Sequence, residues 1–267
     1  MKDLKTHFEE NENLEEKFKR DALYSNLLDK DLPNLSILIP TFNRRKFIPL
    51  IAVNLLSTDY PKNKLEVVIY DDNPDNPLFL NSQETIEFSK QIGIFVNYIY
   101  NPKRHLSIGE KRNKLVKEAK YKTLINLDDD DMYFPTYFRY SVSTLINNKV
   151  GIVGSNEMIF VFPHNNFDIC GISCQSKRQA HEATFCYTKK YWKNMGGFSK
   201  TNRGEGSKMI DYNEQNCHLT DIRKCMMCLV HKENTIDKNM FYEKENKIDF
   251  VIPDEYKDLI NEIIFPH

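Results

Sequence analysis

The first half of the chain alternates between short continuous apolar runs and segments whose apolar residues recur at helical spacing. The runs predict buried strands, and the segments between them predict helices. The predicted strands lie at 35–40, 65–70, 94–99 and 124–127, and the predicted helices at 46–56, 82–91 and 108–119. Strands and helices in alternation predict an α/β fold, in which a mostly parallel sheet carries helices on both faces.

The pattern after Pro135 is less regular. It predicts helices at 136–147, 190–194 and 255–264, and strands at 150–155, 158–162, 183–187 and 225–231. Residues 162–178 are predicted to form a surface loop, and residues 201–207, which include two glycines and no apolar residue, are predicted to be mobile.

The domain organisation follows from composition along the chain. Residues 1–30 are rich in charge and contain no glycine. Their apolar residues recur at loose helical spacing, which predicts a helical arm that packs on the domain or on a partner chain. The arm is therefore the candidate contact for a homo-oligomer. No linker divides the remainder, so residues 31–267 are predicted to form one domain with halves at 31–135 and 136–267.

Four consecutive aspartates, residues 128–131, follow directly on the apolar run at 124–127. A buried strand that ends in acid delivers carboxylates to the edge of the sheet where open α/β folds bind ligands. Adjacent carboxylates repel one another unless a cation or solvent offsets their charge. In an extended turn, Asp128 and Asp130 would point the same way, as two oxygen ligands of one divalent ion must. The alternative is a solvated acidic turn.

Composition excludes several function classes. Lys and Arg number 37 and Asp and Glu 38, for a formal net charge of -1, so the chain lacks the basic footprint of a nucleic-acid-binding protein. The charged N-terminus is unlike a signal peptide, and no apolar run reaches the length of a membrane span. Six cysteines in a chain without a secretory signal are typical of free thiols. These features predict a soluble, cytoplasmic protein.

Two common nucleotide-binding motifs are absent from the sequence. No Gly-x-Gly-x-x-Gly follows the first predicted strand, and no Gly-Lys-Ser/Thr loop occurs. A dinucleotide-binding Rossmann site and a P-loop NTPase are therefore poorly supported.

Five segments, in order along the chain, resemble the motifs of the family 2 glycosyltransferases, which have the GT-A fold. They are LIPTFNR at 38–44, VIYDDN at 68–73, GEKRN at 109–113, LDDDDMYFP at 127–135 and GGFSKTNRGE at 196–205. Each motif is weak alone, but their common order and spacing make a specific signal over about 35–205. The resemblance implies a nucleotide-sugar-binding half at 31–135 and an acceptor half at 136–267.

The resemblance also implies a reaction. A metal-dependent, inverting glycosyltransferase of the hexosyltransferase type (EC 2.4) would move a sugar from a nucleotide sugar, a UDP-sugar, to a hydroxyl of a glycan or other acceptor. A divalent ion, Mn²⁺ or Mg²⁺, would offset the charge of the leaving diphosphate. Its expected ligands are Asp128 and Asp130, with Asp130 the more direct and Asp129 nearer the donor ribose or sugar. His231 would complete the site, its alternative being a surface histidine.

The same resemblance assigns the nucleotide pocket and the base. Residues that would line the pocket come from the first two strand ends and from one helix: Thr41, Asn43, Arg44, Asp72 and Arg112. Asp72 would accept a hydrogen bond from the uracil ring. Arg112 would sit near the base or the diphosphate, or else be a surface arginine.

Inversion requires a carboxylate that takes the proton of the acceptor hydroxyl. Glu205 is the carboxylate that matches the family's Glu-Asp pair, although position 206 is Gly instead of Asp. Asp211 is the alternative base. His105, just before the helix at 108–119, would either reach the acceptor site or be solvated.

Three alternatives stay open at the level of sequence. A sugar nucleotidylyltransferase would need a Gly-rich loop after the first strand, and none is present. A catalytically silent GT-A domain that binds glycans or acts as a scaffold is kept open by Gly206.

A zinc site is the third alternative. Its candidate ligands are Cys217, His218, Cys225, Cys228 and His231. In an extended strand, however, Cys225 and Cys228 would point to opposite faces.

Overall fold

Two β-sheets and seven α-helices make up the part of the chain that the computed structural model describes, which is residues 2–3, 27–242, 247–248 and 252–265. The strands there are β1 (Lys2–Asp3), β2 (Leu35–Thr41), β3 (Leu65–Asp71), β4 (Phe95–Tyr100), β5 (Thr123–Asn126), β6 (Met132–Tyr133), β7 (Ile152–Gly154), β8 (Glu157–Phe162), β9 (Asp168–Ser173), β10 (Cys186–Thr188), β11 (Cys217–Leu219) and β12 (Met226–Leu229). The α-helices are α1 (Ile48–Ser57), α2 (Ser82–Ile92), α3 (Ile108–Glu118), α4 (Tyr137–Asn147), α5 (Lys189–Met195), α6 (Ser207–Ile210) and α7 (Asp254–Ile264).

The larger sheet has the strand order β11-β7-β10-β5-β2-β3-β4. Strand β10 is antiparallel to both of its neighbours, and the other pairs are parallel. The α/β fold with a mostly parallel sheet is thus confirmed.

Strand β2 shows why continuous apolar runs identify the central strands. Ile37 and Ile39 join the hydrophobic cluster that α1 and α4 cover, whereas Leu38 joins the cluster that α3 covers on the other face. A strand that is buried on both faces needs apolar residues at every position, so it loses the alternation of a half-exposed strand.

A second sheet, with the order β1-β9-β8-β12-β6, corrects the expectation of a surface loop at 162–178. Strand β9 lies inside that segment and pairs antiparallel with β8. Asn166 and Phe167 form the turn between them, with φ angles of 52° and 60°. The apolar stretch of β9 is short and contains Gly171, so its local pattern does not indicate a strand.

Other boundaries also differ from the predictions. The predicted strand at 183–187 begins only at Cys186, because Glu182–Thr184 form a 3-10 turn. Strand β11 was not predicted from the sequence pattern. Of the predicted helical arm at 1–30, only β1 and residues 27–30 belong to the described residues. The rest of the predicted arm lies outside them.

Helix α3 begins with a capping box, in which Ser107 and Glu110 bond reciprocally to each other's backbone N–H. Its second residue packs directly on another segment, because a Cβ atom on Gly109 would lie 1.7 Å from the backbone oxygen of Ser199. The cap and this close approach fix the first turn of α3 against the segment that follows α5.

Replacement of Gly109 by Ala is expected to lower the free energy of unfolding by about 1–3 kcal/mol, because the Ser199 backbone must move. Lys114→Ala, at an exposed position of the same helix, is the matched control and should change it by less than about 0.5 kcal/mol. Chemical denaturation of both variants measures the difference. Equal stability of the two variants would contradict the close approach.

Candidate active site

A cavity of about 580 Å³ opens at the carboxyl ends of β2 and β5. Five segments supply most of its wall, namely residues 40–44, 105–112, 128–130, 181–183 and 202–205, and residues 233–241 border it on another side. The family-like segments at 38–44, 109–113, 127–135 and 196–205 therefore meet at one cavity, although they are separated along the chain.

Three of the four aspartates line the cavity, and each of them faces a largely buried arginine. Asp128 Oδ1 lies 2.8 Å from Arg112 Nη2. Asp129 Oδ1 lies 3.6 Å from Arg44 Nε, and Asp130 Oδ2 lies 3.2 Å from Arg44 Nη2. The two guanidinium groups offset the mutual repulsion of the carboxylates. A fully solvated acidic turn is therefore excluded.

Asp130 also meets His231, whose Nε2 lies 3.1 Å from Asp130 Oδ2. His231 is only 7% exposed, so the alternative of a surface histidine is wrong. Burial alone would raise the pKa of Asp130, but the hydrogen bond with His231 and the charge of Arg44 lower this pKa below its usual range. Asp130 therefore holds a full negative charge at the cavity wall.

Asp131 has a different environment from the other three aspartates and is not part of the cavity wall. Its Oδ1 accepts a hydrogen bond of 2.9 Å from the backbone N–H of Leu229 and lies 3.6 Å from Lys238 Nζ. Burial raises the pKa of Asp131 to about 7. Asp131 thus connects the segment of four aspartates, residues 128–131, to β12.

The donor atoms around Asp130 include the Nε2 atom of His231, 3.1 Å from Asp130 Oδ2. Among the residues that the structure describes, no three side chains of His, Cys, Asp or Glu lie close enough together to hold one. Asp130 and His231 form a pair, and Asp129 Oδ2 is buried without a hydrogen-bond partner in the described part of the chain. This set fits an ion for which the protein supplies few ligands and substrate phosphates supply others.

Arg112 is 2% exposed, so the alternative of a surface arginine is wrong. It bridges two carboxylates, with its Nε 3.0 Å from Glu205 Oε1 and its Nη2 2.8 Å from Asp128 Oδ1. Burial alone would lower the pKa of Arg112, but the charges of Asp128 and Glu205 raise it. The guanidinium is therefore permanently charged and links the aspartate segment to the loop that carries Glu205.

The two candidate bases lie in different places. Glu205 lines the cavity and is 4% exposed. Asp211 is not among the cavity-lining residues, and its carboxylate lies 3.5 Å from Arg178 Nε with 37% of the side chain exposed. The cavity geometry therefore favours Glu205, whose catalytic role stays a prediction.

The end of β2 and the turn after it carry three of the expected nucleotide-binding residues, and Thr41, Asn43 and Arg44 all line the cavity. Asn43 has a φ of 58°, a left-handed conformation that asparagine tolerates better than most residues. This conformation reverses the chain, so that Arg44 reaches Asp129 and Asp130.

Asp72 departs from its expected position, because it is 1% exposed and is not part of the cavity wall. Its Oδ2 accepts a hydrogen bond of 2.6 Å from the backbone N–H of Leu106, and its Oδ1 lies 2.5 Å from Lys111 Nζ. Lys111 in turn donates to the backbone oxygen of Thr41 at 2.9 Å. The structure therefore does not bring the Asp72 carboxylate to a nucleotide base, because two groups of the protein already occupy it.

Several residues line the cavity although no sequence feature assigns them a role, namely Lys111, Glu182, Glu233 and Lys238. Lys111 directly precedes Arg112 within the GEKRN segment, so that segment was a signal for both. Glu182 and Lys238 lie in stretches without a recognisable motif. His105, in contrast, lines the cavity with its side chain 62% exposed, and its ring centroid lies 4.5 Å from that of Phe42.

The six cysteines are free thiols in the structure. Burial raises the pKa of Cys225 to about 12 and that of Cys228 well above its usual range, which keeps both thiols protonated. The described residues contain no three-residue metal cluster, so the zinc alternative has no support. None of the described helices combines the length and apolar character that a membrane crossing requires.

Comparison with known proteins is consistent with these features. The sequence model of glycosyl transferase family 2 matches residues 36–207, which is more than half of the chain. No curated protein sequence matches the chain.

Solved structures resemble the fold. S. aureus TarS 1-349 in complex with UDP has 16% identity and a TM-score of 0.59, over 74% of this chain and 61% of that one. Mannosyltransferase PcManGT from Pyrobaculum calidifontis, in complex with GDP-Man and Mn²⁺, has 15% identity and a TM-score of 0.54, over 82% of this chain and 65% of that one. The chain thus spans less than two thirds of either structure. The family match identifies the chain as a member of glycosyl transferase family 2, and the shared fold is the GT-A fold.

Proposed function

We propose that this enzyme transfers a sugar from a nucleotide sugar, specifically a UDP-sugar, to a hydroxyl of a glycan or other acceptor, with inversion at the anomeric carbon. The observation that carries the proposal is the single cavity in which Asp128, Asp130, Arg112 and Glu205 meet. The related structures were solved with UDP, UDP-GlcNAc or GDP-Man, which supports a nucleotide-sugar donor.

The nucleotide would bind beside the turn after β2. Thr41, Asn43 and Arg44 offer polar atoms on that wall. Asp72 would act indirectly, because its ion pair with Lys111 positions that ammonium group 2.9 Å from the Thr41 oxygen. Arg112 would add positive charge near the diphosphate.

A divalent ion, Mn²⁺ or Mg²⁺, would be held by Asp130 and His231, with Asp128 on the same cavity wall and Asp129 nearer the ribose or the sugar. The charged Asp130 carboxylate is the ligand type that both ions prefer. When bound, the ion would offset the negative charge that develops on the leaving diphosphate. Arg44, 3.2 Å from Asp130, holds this carboxylate in place.

Glu205 would take the proton of the acceptor hydroxyl while the acceptor oxygen forms its bond to the anomeric carbon. The bond between that carbon and the diphosphate oxygen breaks in the same step, and its electron pair leaves with the diphosphate. Arg112, 3.0 Å from Glu205, fixes the direction of the carboxylate. A positioned carboxylate base contributes typically about 10²–10⁴-fold to such a reaction.

Thermal denaturation with a panel of UDP- and GDP-sugars, each with Mn²⁺, Mg²⁺ or a chelator, tests the donor and the ion together. We expect one UDP-sugar to raise the melting temperature only when the ion is present, since a ligand at 100 times its Kd stabilises the folded state by about 2.7 kcal/mol. Release of UDP on addition of acceptor hydroxyls then identifies transfer. No shift with any nucleotide sugar, with or without ion, would contradict the proposal.

A further inference from the structure

Position 206 holds glycine where the family pattern has its second acid, and the structure gives a steric reason. A Cβ atom on Gly206 would lie 2.4 Å from Glu182 Cγ and 2.6 Å from Phe185 Cε2. The side chain of Glu182 therefore occupies space that a side chain at 206 would need.

The Glu182 carboxylate is fixed beside the loop that carries Glu205. Its Oε1 accepts a hydrogen bond of 2.9 Å from the backbone N–H of Gly206. Its backbone oxygen accepts a hydrogen bond of 2.7 Å from Asn126 Nδ2, at the end of β5. Glu182 and Glu205 both line the cavity. Glu182, from a distant part of the chain, thus brings a carboxylate to the position where the family pattern has its second acid.

The charged and titratable groups around Glu182 are Glu205 on the loop before α6, Arg112 on α3 and His181 on its own segment. Burial and the charge of Glu205 raise the pKa of Glu182 to about 7. Burial lowers the pKa of His181 to about 4, so the imidazole is neutral near pH 7. The charge of Arg112, which donates to Glu205, lowers the pKa of Glu182, but this effect is smaller than those of burial and of Glu205.

We propose that Glu182 is a positioning residue for the transfer reaction, which replaces the acid missing at position 206 and strengthens Glu205 as a base through its negative charge. This inference rests on the proposed function. Arg112 alone would weaken Glu205 as a proton acceptor, because an adjacent positive charge favours the ionised carboxylate. A second negative charge beside Glu205 offsets that effect.

The ionisation of Glu182 makes the activity depend on pH. Above about pH 7 Glu182 is ionised, and the acceptor proton passes to a Glu205 that has a charged neighbour. Below that pH Glu182 is protonated. Glu205 then has a neutral neighbour and takes the proton of the acceptor hydroxyl less readily. The kcat/KM of the enzyme should therefore rise as the pH increases through about 7.

Glu182→Gln keeps the shape and an oxygen for the Gly206 N–H but removes the charge. We expect its rise in kcat/KM to move at least about one pH unit lower and its plateau to fall by about 10-fold, as the base weakens. Glu214→Gln is the matched control, because Glu214 is a carboxylate paired with Arg178 outside the cavity. Its profile should match that of the unmodified enzyme.

An unchanged profile in Glu182→Gln would overturn the inference. Gly206→Ala is the second variant, since its Cβ displaces the Glu182 side chain and should remove the same rise near pH 7. Thermal denaturation of each variant confirms that it is folded. If Glu205→Gln loses activity while Glu182→Gln behaves like the parent, only the role of Glu182 fails. If Glu205→Gln is fully active, the proposed base itself fails.

Discussion

Glu205→Gln is expected to lower the rate of sugar transfer by at least about 100-fold, because the amide cannot take the proton of the acceptor hydroxyl. The substitution preserves the shape of the side chain and an oxygen for Arg112 Nε, which lies 3.0 Å from Glu205 Oε1. Donor binding should therefore persist. Initial rates of UDP release with saturating donor and acceptor measure the loss, and the donor-induced shift in melting temperature measures retained binding.

Asp211→Asn provides the comparison, because Asp211 pairs with Arg178 and is not among the cavity-lining residues. We expect this variant to transfer sugar at the parent rate. Full activity in Glu205→Gln together with inactivity in Asp211→Asn would assign the base to Asp211. A fall in both variants with unchanged donor binding would indicate that the segment from 205 to 211, which includes α6, acts as a unit.

The central strands could be predicted because each is buried on both faces and so reads as one apolar run. Strands β2 and β3 lie within one residue of their predicted bounds of 35–40 and 65–70. The second sheet was predicted only in part, because the predicted strands at 158–162 and 225–231 correspond to β8 and β12, whereas β1, β6 and β9 were not predicted. Strand β12 pairs with β8 and β6, which lie far away in sequence. Their stability comes from these distant partners, which a local pattern does not reveal.

The site shows the same division between local and distant causes. The repulsion within residues 128–131 predicted a cation, and the motif segments predicted which residues converge. The sequence did not reveal that Arg44, Arg112 and Lys238 form ion pairs with aspartates of residues 128–131. Lys238 is far from these aspartates in sequence, and only the fold brings it near them.

Asp72 illustrates where the structure departs from the site expected from the sequence. Its carboxylate lies at a strand end, as expected, but it forms an ion pair with Lys111. A motif indicates that a residue belongs to a site, whereas the direction of its side chain depends on neighbours contributed by other elements. The same limit applies to Glu182, which no motif marks and which only the packing against Gly206 reveals.

Asp130 and Asp131 are adjacent carboxylates with different surroundings, so substitutions at the two positions should have different effects. Under the proposed metal-dependent mechanism, Asp130→Asn should abolish the ion-dependent rise in melting temperature with the nucleotide sugar and lower transfer by at least about 100-fold, because the proposed ion, which would supply several kcal/mol of charge stabilisation, would lose its main ligand. The contacts of Asp130 with Arg44 and His231 make it the carboxylate that is fixed at the cavity wall.

Asp131→Asn should leave the ion-dependent shift in place, because Asp131 is not part of the cavity wall and its carboxylate serves the Leu229 N–H. Its effect should fall on stability instead, with a loss of about 1–3 kcal/mol in the free energy of unfolding, since Lys238 loses a buried partner. Chemical denaturation and titration with Mn²⁺ in the presence of donor separate the two effects. A normal ion response in Asp130→Asn would contradict the proposed metal site, because Asp130 is the one charged carboxylate that also contacts His231 among the described residues.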